Sequence, residues 1–349
     1  MSEPPPPEPP PVSQPIVSPL TAAAVFLVVT VEPGGEETVR DLLPDISALQ
    51  RSVGFRIPEG TLQAVVGIGS SAWDRLFAGP RPAELHPFRE LRGPRHHAPA
   101  TPGDLLFHIR ANRMDLCFEF ATQVMARLSG AVTVRDEVQG FRYFDERDLI
   151  GFVDGTESPG GAAGVRAAIV STAADPDFAA GSYVIVQKYL HDLPAWNSLS
   201  VEEQERVIGR SKLDDIEMPD DVKPVNSHVA LNTITGPDGE ERQIIRANMP
   251  FGNVGRGEFG TYYIAYAATP SVTEQMLENM FLGSPPGNTD RILDFSTAIT
   301  GGLFFAPSAD FLDDPPGPAA GAQAAASAVA TPAAVPAGDG SLGIGSLKG

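Results

Sequence analysis

From about Thr21 to Phe311 the apolar residues fall into two rhythms, and each rhythm predicts a different element. AAAVFLVVTVE (22–32) is a nearly unbroken apolar run rich in β-branched residues, which predicts a buried strand. EETVRDLLPDISALQRSV (36–53) carries a helical spacing that Pro44 interrupts. LQAVVGIG (62–69) and DLLFHIRA (104–111) predict further strands, MDLCFEFATQVMARL (114–128) a second helix, and GFRYFDERDLIGFVDGTE (140–157) strand, turn and loop. The order then recurs. GSYVIVQKYL (181–190) predicts a strand. SVEEQERVIGR (200–210) predicts a helix opened by a capping box of Ser200 and Glu203. NSHVALN (226–232) reads as loop, RQIIRANMPFG (242–252) and GTYYIAYAA (260–268) as strands, and SVTEQMLENMF (271–281) as a helix with its own capping box, Ser271 and Glu274. Each half runs strand, helix, strands, helix. The repeat predicts two α+β units related by duplication, each an antiparallel sheet with helices on one face.

The two ends break the pattern. Residues 1–19, opening MSEPPPPEPPPVSQP, read as a disordered polyproline arm with no basic region of a secretory signal. After Phe311 the aromatics vanish, and residues 313–338 read as an Ala/Pro linker too poor in apolar surface to offset its ordering entropy. Spaced aliphatics then return in DGSLGIGSLKG (339–349), as Leu342, Ile344 and Leu347.

Composition narrows the chemistry. The formal net charge of −19, from 25 basic and 44 acidic residues in 349, sets the chain against nucleic-acid backbones and favours cationic or neutral small substrates. A single cysteine, Cys117, excludes an internal disulfide, Cys-rich zinc sites, iron–sulfur clusters and CxxCH haem attachment, and fits a reducing, cytoplasmic compartment. No apolar run reaches the length of a membrane span.

Two motifs are set aside on their context. GRGEFG (255–260) has the spacing of a dinucleotide fingerprint, but a strand pattern follows it where a helix is required. GFVDGTE (151–157) resembles a phosphotransferase loop, yet Phe152 stands where the nucleophilic Asp belongs. Its Asp154-Gly155 pair is equally a tight-turn signal. The company it keeps gives it more weight. His228 sits in a mixed polar and apolar setting, and a lone His of this kind is more often a satisfied structural residue than a ligand. On a strand, residues two apart share a face, so Ile244, Arg246 and Asn248 point the same way. A buried Arg needs a partner. The choices are a salt bridge, with Asp154 as the acid, or a cavity that gathers a carboxylate, a guanidinium and an imidazole.

GFVDGTE, NSHVALN, IIRANMPFG and TDRILDFSTAITGGLFF, in this order across nearly the whole folded region, resemble the motifs of the dye-decolourising peroxidases, in their compact bacterial B-type. That resemblance implies an α+β fold of two duplicated ferredoxin-like halves (20–150 and 151–312), with antiparallel sheets packed barrel-like, helices outside, and one haem b in the C-terminal half. It implies His228 as the axial iron ligand, oriented by an acid for which Asp290 is the first choice and Asp294 the second. It implies Asp154 as the carrier of the peroxide proton, Arg246 as the stabiliser of charge developing as the O–O bond breaks, and Asn248 as a group positioning peroxide or its water. Arg210 would meet a haem propionate. Glu157, Glu217 and Glu241 would form a manganese site if their carboxylates converge, although scattered surface acids are the commoner outcome. Trp196 and Tyr189 would relay electrons from bulky donors at the surface, unless they are core aromatics.

GSLGIGSLKG resembles the loading peptides of encapsulin cargo, a class that includes these peroxidases. Leu342, Ile344 and Leu347 would fill apolar pockets of the shell wall, tethered by the linker. The expected protein is a homo-oligomer, dimer to hexamer, that reduces hydrogen peroxide while oxidising dyes, phenolic compounds or similar donors inside a nanocompartment. The competing reading is a haem-binding or haem-delivery protein on the same fold, which would have no use for a proton carrier beside the iron.

Overall fold

The computed structural model describes residues 10–155 and 158–318. In the N-terminal half, β1 (Ala23–Val31) is followed by α1 (Glu36–Leu42) and α2 (Ile46–Gly54). Pro44 lies in a 3₁₀ turn between those two helices, where the predicted interruption falls. Then come β2 (Gln63–Gly69), α3 (Ser70–Leu76), a small hairpin of β3 (Leu91–Arg92) and β4 (His97–Ala98), β5 (Leu105–Ala111), α4 (Met114–Arg127) and β6 (Val132–Phe141). The C-terminal half has α5 (Gly161–Ala168), β7 (Ser182–His191), α6 (Leu193–Asn197), α7 (Val201–Ile208) and α8 (His228–Asn232). A second small hairpin follows, β8 (Ile234–Thr235) with β9 (Glu241–Arg242), and then β10 (Ile245–Arg246), β11 (Met249–Asn253), β12 (Glu258–Ala267), α9 (Pro270–Phe281), β13 (Ser296–Ala298), β14 (Gly302–Ala306) and α10 (Ala309–Asp313).

Two four-strand antiparallel orders, β2-β5-β1-β6 and β10-β12-β7-β14, join into one 10-stranded sheet, with β11 on β12 and β13 on β7. The seam is β14 against β2, with Phe304 opposite Gly69 and Phe305 opposite Ile68. The sheet curls so that β6 approaches β11, where a Cβ on Gly140 would lie 2.6 Å from that of Met249. β6 and β11 are not paired, so the sheet is barrel-like, as expected, without being closed. β1 shows why its sequence is a continuous apolar run. Ala24, Phe26 and Val28 face the core inside the curl, while Val25, Leu27 and Val29 face the helices outside.

Several local expectations change. The Ser200–Glu203 capping box is present in both directions. The second box is absent: α9 starts at Pro270, Thr269 is its cap, and Glu274 turns instead to His86 at 3.2 Å and Arg89 at 3.8 Å. Proline at the first helical turn, whose missing N–H is unneeded there, moves the start ahead of Ser271. NSHVALN forms a helix rather than a loop, with Ser227 accepting from Ala230 N–H. Of the arm expected to be disordered, the described residues 10–19 are docked. Ile16 is fully buried, and the Gln14 side chain donates to the Val66 and Pro307 carbonyls and accepts from Val66 N–H. The linker beyond 318, the peptide 339–349 with Leu342, Ile344 and Leu347, and Glu157 lie outside the described residues.

Candidate active site

One face of the C-terminal sheet, with α7, α8 and α9 above it, encloses a cavity of about 180 Å³. Tyr189 and His191 of β7, Thr261 and Tyr263 of β12 and Ser296 of β13 contribute to its lining. Ile208, Val229, Ile244, Met276, Leu277 and Met280 make much of the remaining wall apolar.

Two histidines line the cavity, and their hydrogen bonds tell them apart. His191 is used up: Nδ1 meets Ser296 Oγ at 2.8 Å and Nε2 meets Thr261 Oγ1 at 2.9 Å. Burial pushes its pKa down to about 4, so it is a neutral imidazole fixed between two hydroxyls. His228, the first residue of α8, directs Nδ1 to Asp290 Oδ2 at 2.7 Å, and its Nε2 makes no hydrogen bond among the described residues. Asp290 is completely buried; its other oxygen accepts from Ile292 N–H at 2.9 Å. A carboxyl acceptor at Nδ1 favours the tautomer with the proton there and leaves the Nε2 lone pair available. Asp294 is elsewhere, paired with Arg95 at 2.7 Å and His96 at 3.1 Å.

The same cavity receives Asp154, Arg246 and Asn248. The strand alternation places them: Ile245, Ala247 and Met249 enter the core inside the sheet, which turns Ile244, Arg246 and Asn248 to the cavity. Asn248 Oδ1 accepts from Ile264 N–H at 2.9 Å, which fixes the amide and aims its NH₂ at Asp154, 3.1 Å and 3.0 Å from the two carboxylate oxygens. The Asn248 amide therefore orients Asp154, where it was expected to position peroxide. Asp154 N–H in turn donates to the Glu146 carbonyl at 3.0 Å. The salt bridge weighed between Arg246 and Asp154 does not form, and the Arg246 guanidinium makes no hydrogen bond or ion pair among the described residues. A smaller cavity of about 30 Å³ shares Asp154, Arg246 and Asn248 as a common wall.

Other expected residues fall differently. Arg210 lines the cavity, held by Asp215 Oδ1 at 3.0 Å and near Glu217 at 3.6 Å. Glu217 is engaged by Lys223 at 2.5 Å, Glu241 lines the cavity, and no group of three potential metal ligands occurs among the described residues. Glu157, the third residue of the manganese site weighed above, lies outside the described residues. Neither relay aromatic is at the surface. Trp196 is fully buried and donates to the Ile150 carbonyl, and Tyr189 is buried in the cavity wall with its hydroxyl on Gln187. Sequence reasoning missed Asp148 and His191. The period-2 face of β7 that exposes Tyr189 to the cavity would have found His191.

Comparison with known proteins settles the family. The family models for the Dyp-type peroxidase N-terminal and C-terminal regions match residues 13–142 and 145–311. The chain belongs to the Dyp-type peroxidase family. Among Dyp-type relatives, it is 66% identical over 337 residues to the dye-decolorizing peroxidase of Rhodococcus erythropolis, covering 97% of each chain. It is 65% identical to that of Mycolicibacterium paratuberculosis, over 96% of this chain and 92% of the relative. The encapsulated DyP-type peroxidase from Mycobacterium smegmatis superposes with a TM-score of 0.87 at 69% identity, over 88% of this chain and 99% of that one. A variant of DypB from Rhodococcus jostii RHA1 in complex with heme superposes at 0.85 and 56% identity, over 86% of this chain and 98% of that one.

Proposed function

We propose that this Dyp-type peroxidase binds haem b through His228 and reduces hydrogen peroxide while oxidising dyes, phenolic compounds or similar donors. One observation carries the reading. A single cavity holds an imidazole nitrogen that makes no hydrogen bond among the described residues, backed by a buried carboxylate, together with an oriented carboxylate and a guanidinium that makes no ion pair among them. The residues fit the cofactor. Apolar walls suit a flat macrocycle, Nε2 of His228 suits an iron, and Arg210 and Arg246 suit its propionates and the anionic species formed from peroxide. When bound, the haem supplies the redox chemistry, passing electrons from donor to peroxide.

The chain's own residues manage protons and charge. Asp290 holds the Nδ1 proton of His228 and raises the basicity of Nε2. Asp154 takes a proton from one peroxide oxygen and returns it to the other. Asn248 holds both oxygens of Asp154 in place for that transfer. Arg246 offsets the negative charge that builds on the departing oxygen. The test is the Soret band of the haem-loaded protein before and milliseconds after one equivalent of hydrogen peroxide. A drop and shift of the band supports a peroxidase. A band indifferent to peroxide supports haem carriage, and no band after haem addition removes His228 as a ligand.

The ending GSLGIGSLKG and the likeness to an encapsulated relative support a second part of the reading. The chain is cytoplasmic cargo of an encapsulin shell, docked through Leu342, Ile344 and Leu347, and a homo-oligomer would multiply weak tail contacts into stable loading. Deletion of residues 339–349 should abolish co-purification with the shell while leaving the peroxide reaction unchanged. Retained co-purification overturns the assignment of the tail.

A further inference from the structure

The loop that presents Asp154 carries a second carboxyl into the same cavity. Asp148 lines it six residues earlier in the chain. Its backbone and side chain fold the intervening segment: Asp148 N–H donates to the Phe152 carbonyl, Gly151 N–H to the Asp148 carbonyl, and Ile150 and Phe152 N–H both reach Asp148 Oδ1 at 3.1 Å. One oxygen is thus committed to two backbone donors. The other, Oδ2, makes no hydrogen bond among the described residues.

No cation forms an ion pair with it among the described residues: Lys212 acts on it only through space, and Arg246, which lines the same cavity, is not paired with it. The nearest candidate, Lys212, donates Nζ to Gln204 Oε1 at 2.5 Å, stands 5.5 Å from the centre of the Phe152 ring, and forms no ion pair with Asp148. Its own amide is held by Glu205. Arg147 spends its guanidinium on the carbonyls of Gly151, Lys212 and Leu213. Across the cavity, Arg210 is tied to Asp215 and His228 to Asp290. Asp154 is a like charge. Burial first, and then Asp154, push the Asp148 pKa up to about 7.

We propose that Asp148 is a second, proton-holding carboxyl of this site, a positioning residue that acts on the reaction through Asp154. The proposal rests on the role given to Asp154 above. With Asp148 neutral, it adds no second negative charge to the cavity wall it shares with Asp154, the acceptor of the peroxide proton. When Asp148 ionises, two negative charges share one wall, and the charge developing on the departing oxygen is opposed. The proton-carrying function then weakens as pH rises through about 7, the direction expected for an acid whose pKa is raised.

Infrared difference spectra of the haem-loaded full chain, titrated from pH 5 to 9, test this without reference to turnover. The wild type should lose a protonated-carboxyl C=O band with a midpoint near 7, and Asp148→Asn should lack that band. Asp154→Asn should keep it with the midpoint lowered by about 1 pH unit, the coupling expected of like charges sharing a site. In parallel, the fall in peroxide reaction rate above pH 7 should be absent in Asp148→Asn and return in Asp148→Glu. A wild-type band that is missing, a band that survives Asp148→Asn, or a midpoint that ignores Asp154→Asn would overturn the proposal. The Asp154→Asn titration decides the matter even if Asp148→Asn does not fold. A protein that shows the coupled band yet ignores peroxide would refute the peroxidase reading and leave the pair intact.

Discussion

Replacing Asp290 with Asn tests the ligand geometry most directly, because it changes one atom of a fully buried group. Asp290 accepts twice, from His228 Nδ1–H at 2.7 Å and from Ile292 N–H at 2.9 Å. An amide has one oxygen and one NH₂, so it satisfies only one of these donors. If its oxygen stays on Ile292, the NH₂ faces Nδ1, the imidazole proton moves to Nε2, and the iron-binding lone pair is lost. If its oxygen turns to His228, two N–H groups confront each other in a site with no solvent exposure. A buried unpaired donor costs about 1–3 kcal/mol. Loss of an orienting partner behind a ligating histidine weakens metal binding about 10–100-fold, or about 1.4–2.7 kcal/mol. The assay is haem transfer from the variant to an excess of an apoprotein acceptor, followed by the Soret band. Transfer should accelerate by about that factor in Asp290→Asn. The same change at Asp294, whose partners Arg95 and His96 lie on a more exposed ion pair, should shift stability by less than about 1 kcal/mol and leave haem transfer unchanged. Equal transfer rates for Asp290→Asn and the wild type would refute the argument that the buried carboxylate sets the tautomer.

Asp154→Ala should slow the peroxide reaction by about 10²–10⁴-fold with the haem spectrum at rest retained, and a rate within a factor of three of wild type would remove Asp154 as proton carrier. Ile16→Ala should lower global stability by about 2–5 kcal/mol in denaturant titrations, and an unchanged midpoint would show that the docked N-terminal segment contributes nothing to the core. His191 is held neutral with its pKa depressed to about 4, so the unfolded chain binds a proton that the folded one refuses between that value and about 6.5. Stability should therefore be full above pH 6.5 and fall by up to about 3 kcal/mol as pH drops towards 4, a slope that His191→Gln should flatten.

Much of the site was legible because strand periodicity is a rule about direction. Once IIRANM was read as extended, Arg246 and Asn248 had to share a face with Ile244, and that face does meet the cavity. The duplicated order of elements and the Ser200 cap were equally local, and the motifs placed His228 and Asp290 as partners across 62 positions. What failed shows where local rules stop. NSHVALN gives a helix of only five residues, too short for its pattern to declare itself, and β6 has a largely exposed face without apolar alternation. The proline-rich arm looked like pure disorder, yet Ile16 finds a core that exists only after two halves of the sheet have met.

The sequence by itself determined most of the element types, the two-part plan and, through its motifs, the family, since these follow from periodicity and short motifs. Tertiary structure decided which groups keep a free valence. Asn248 turns its NH₂ to Asp154 because Ile264 N–H has claimed its oxygen, His191 is disqualified as a ligand by two hydroxyls from other strands, and Asp148 reaches the same cavity as Asp154 because a loop closes between them. Whether a donor, acceptor or charge is available depends on what the rest of the fold has already taken, and those competitors lie up to about a hundred residues away in the chain.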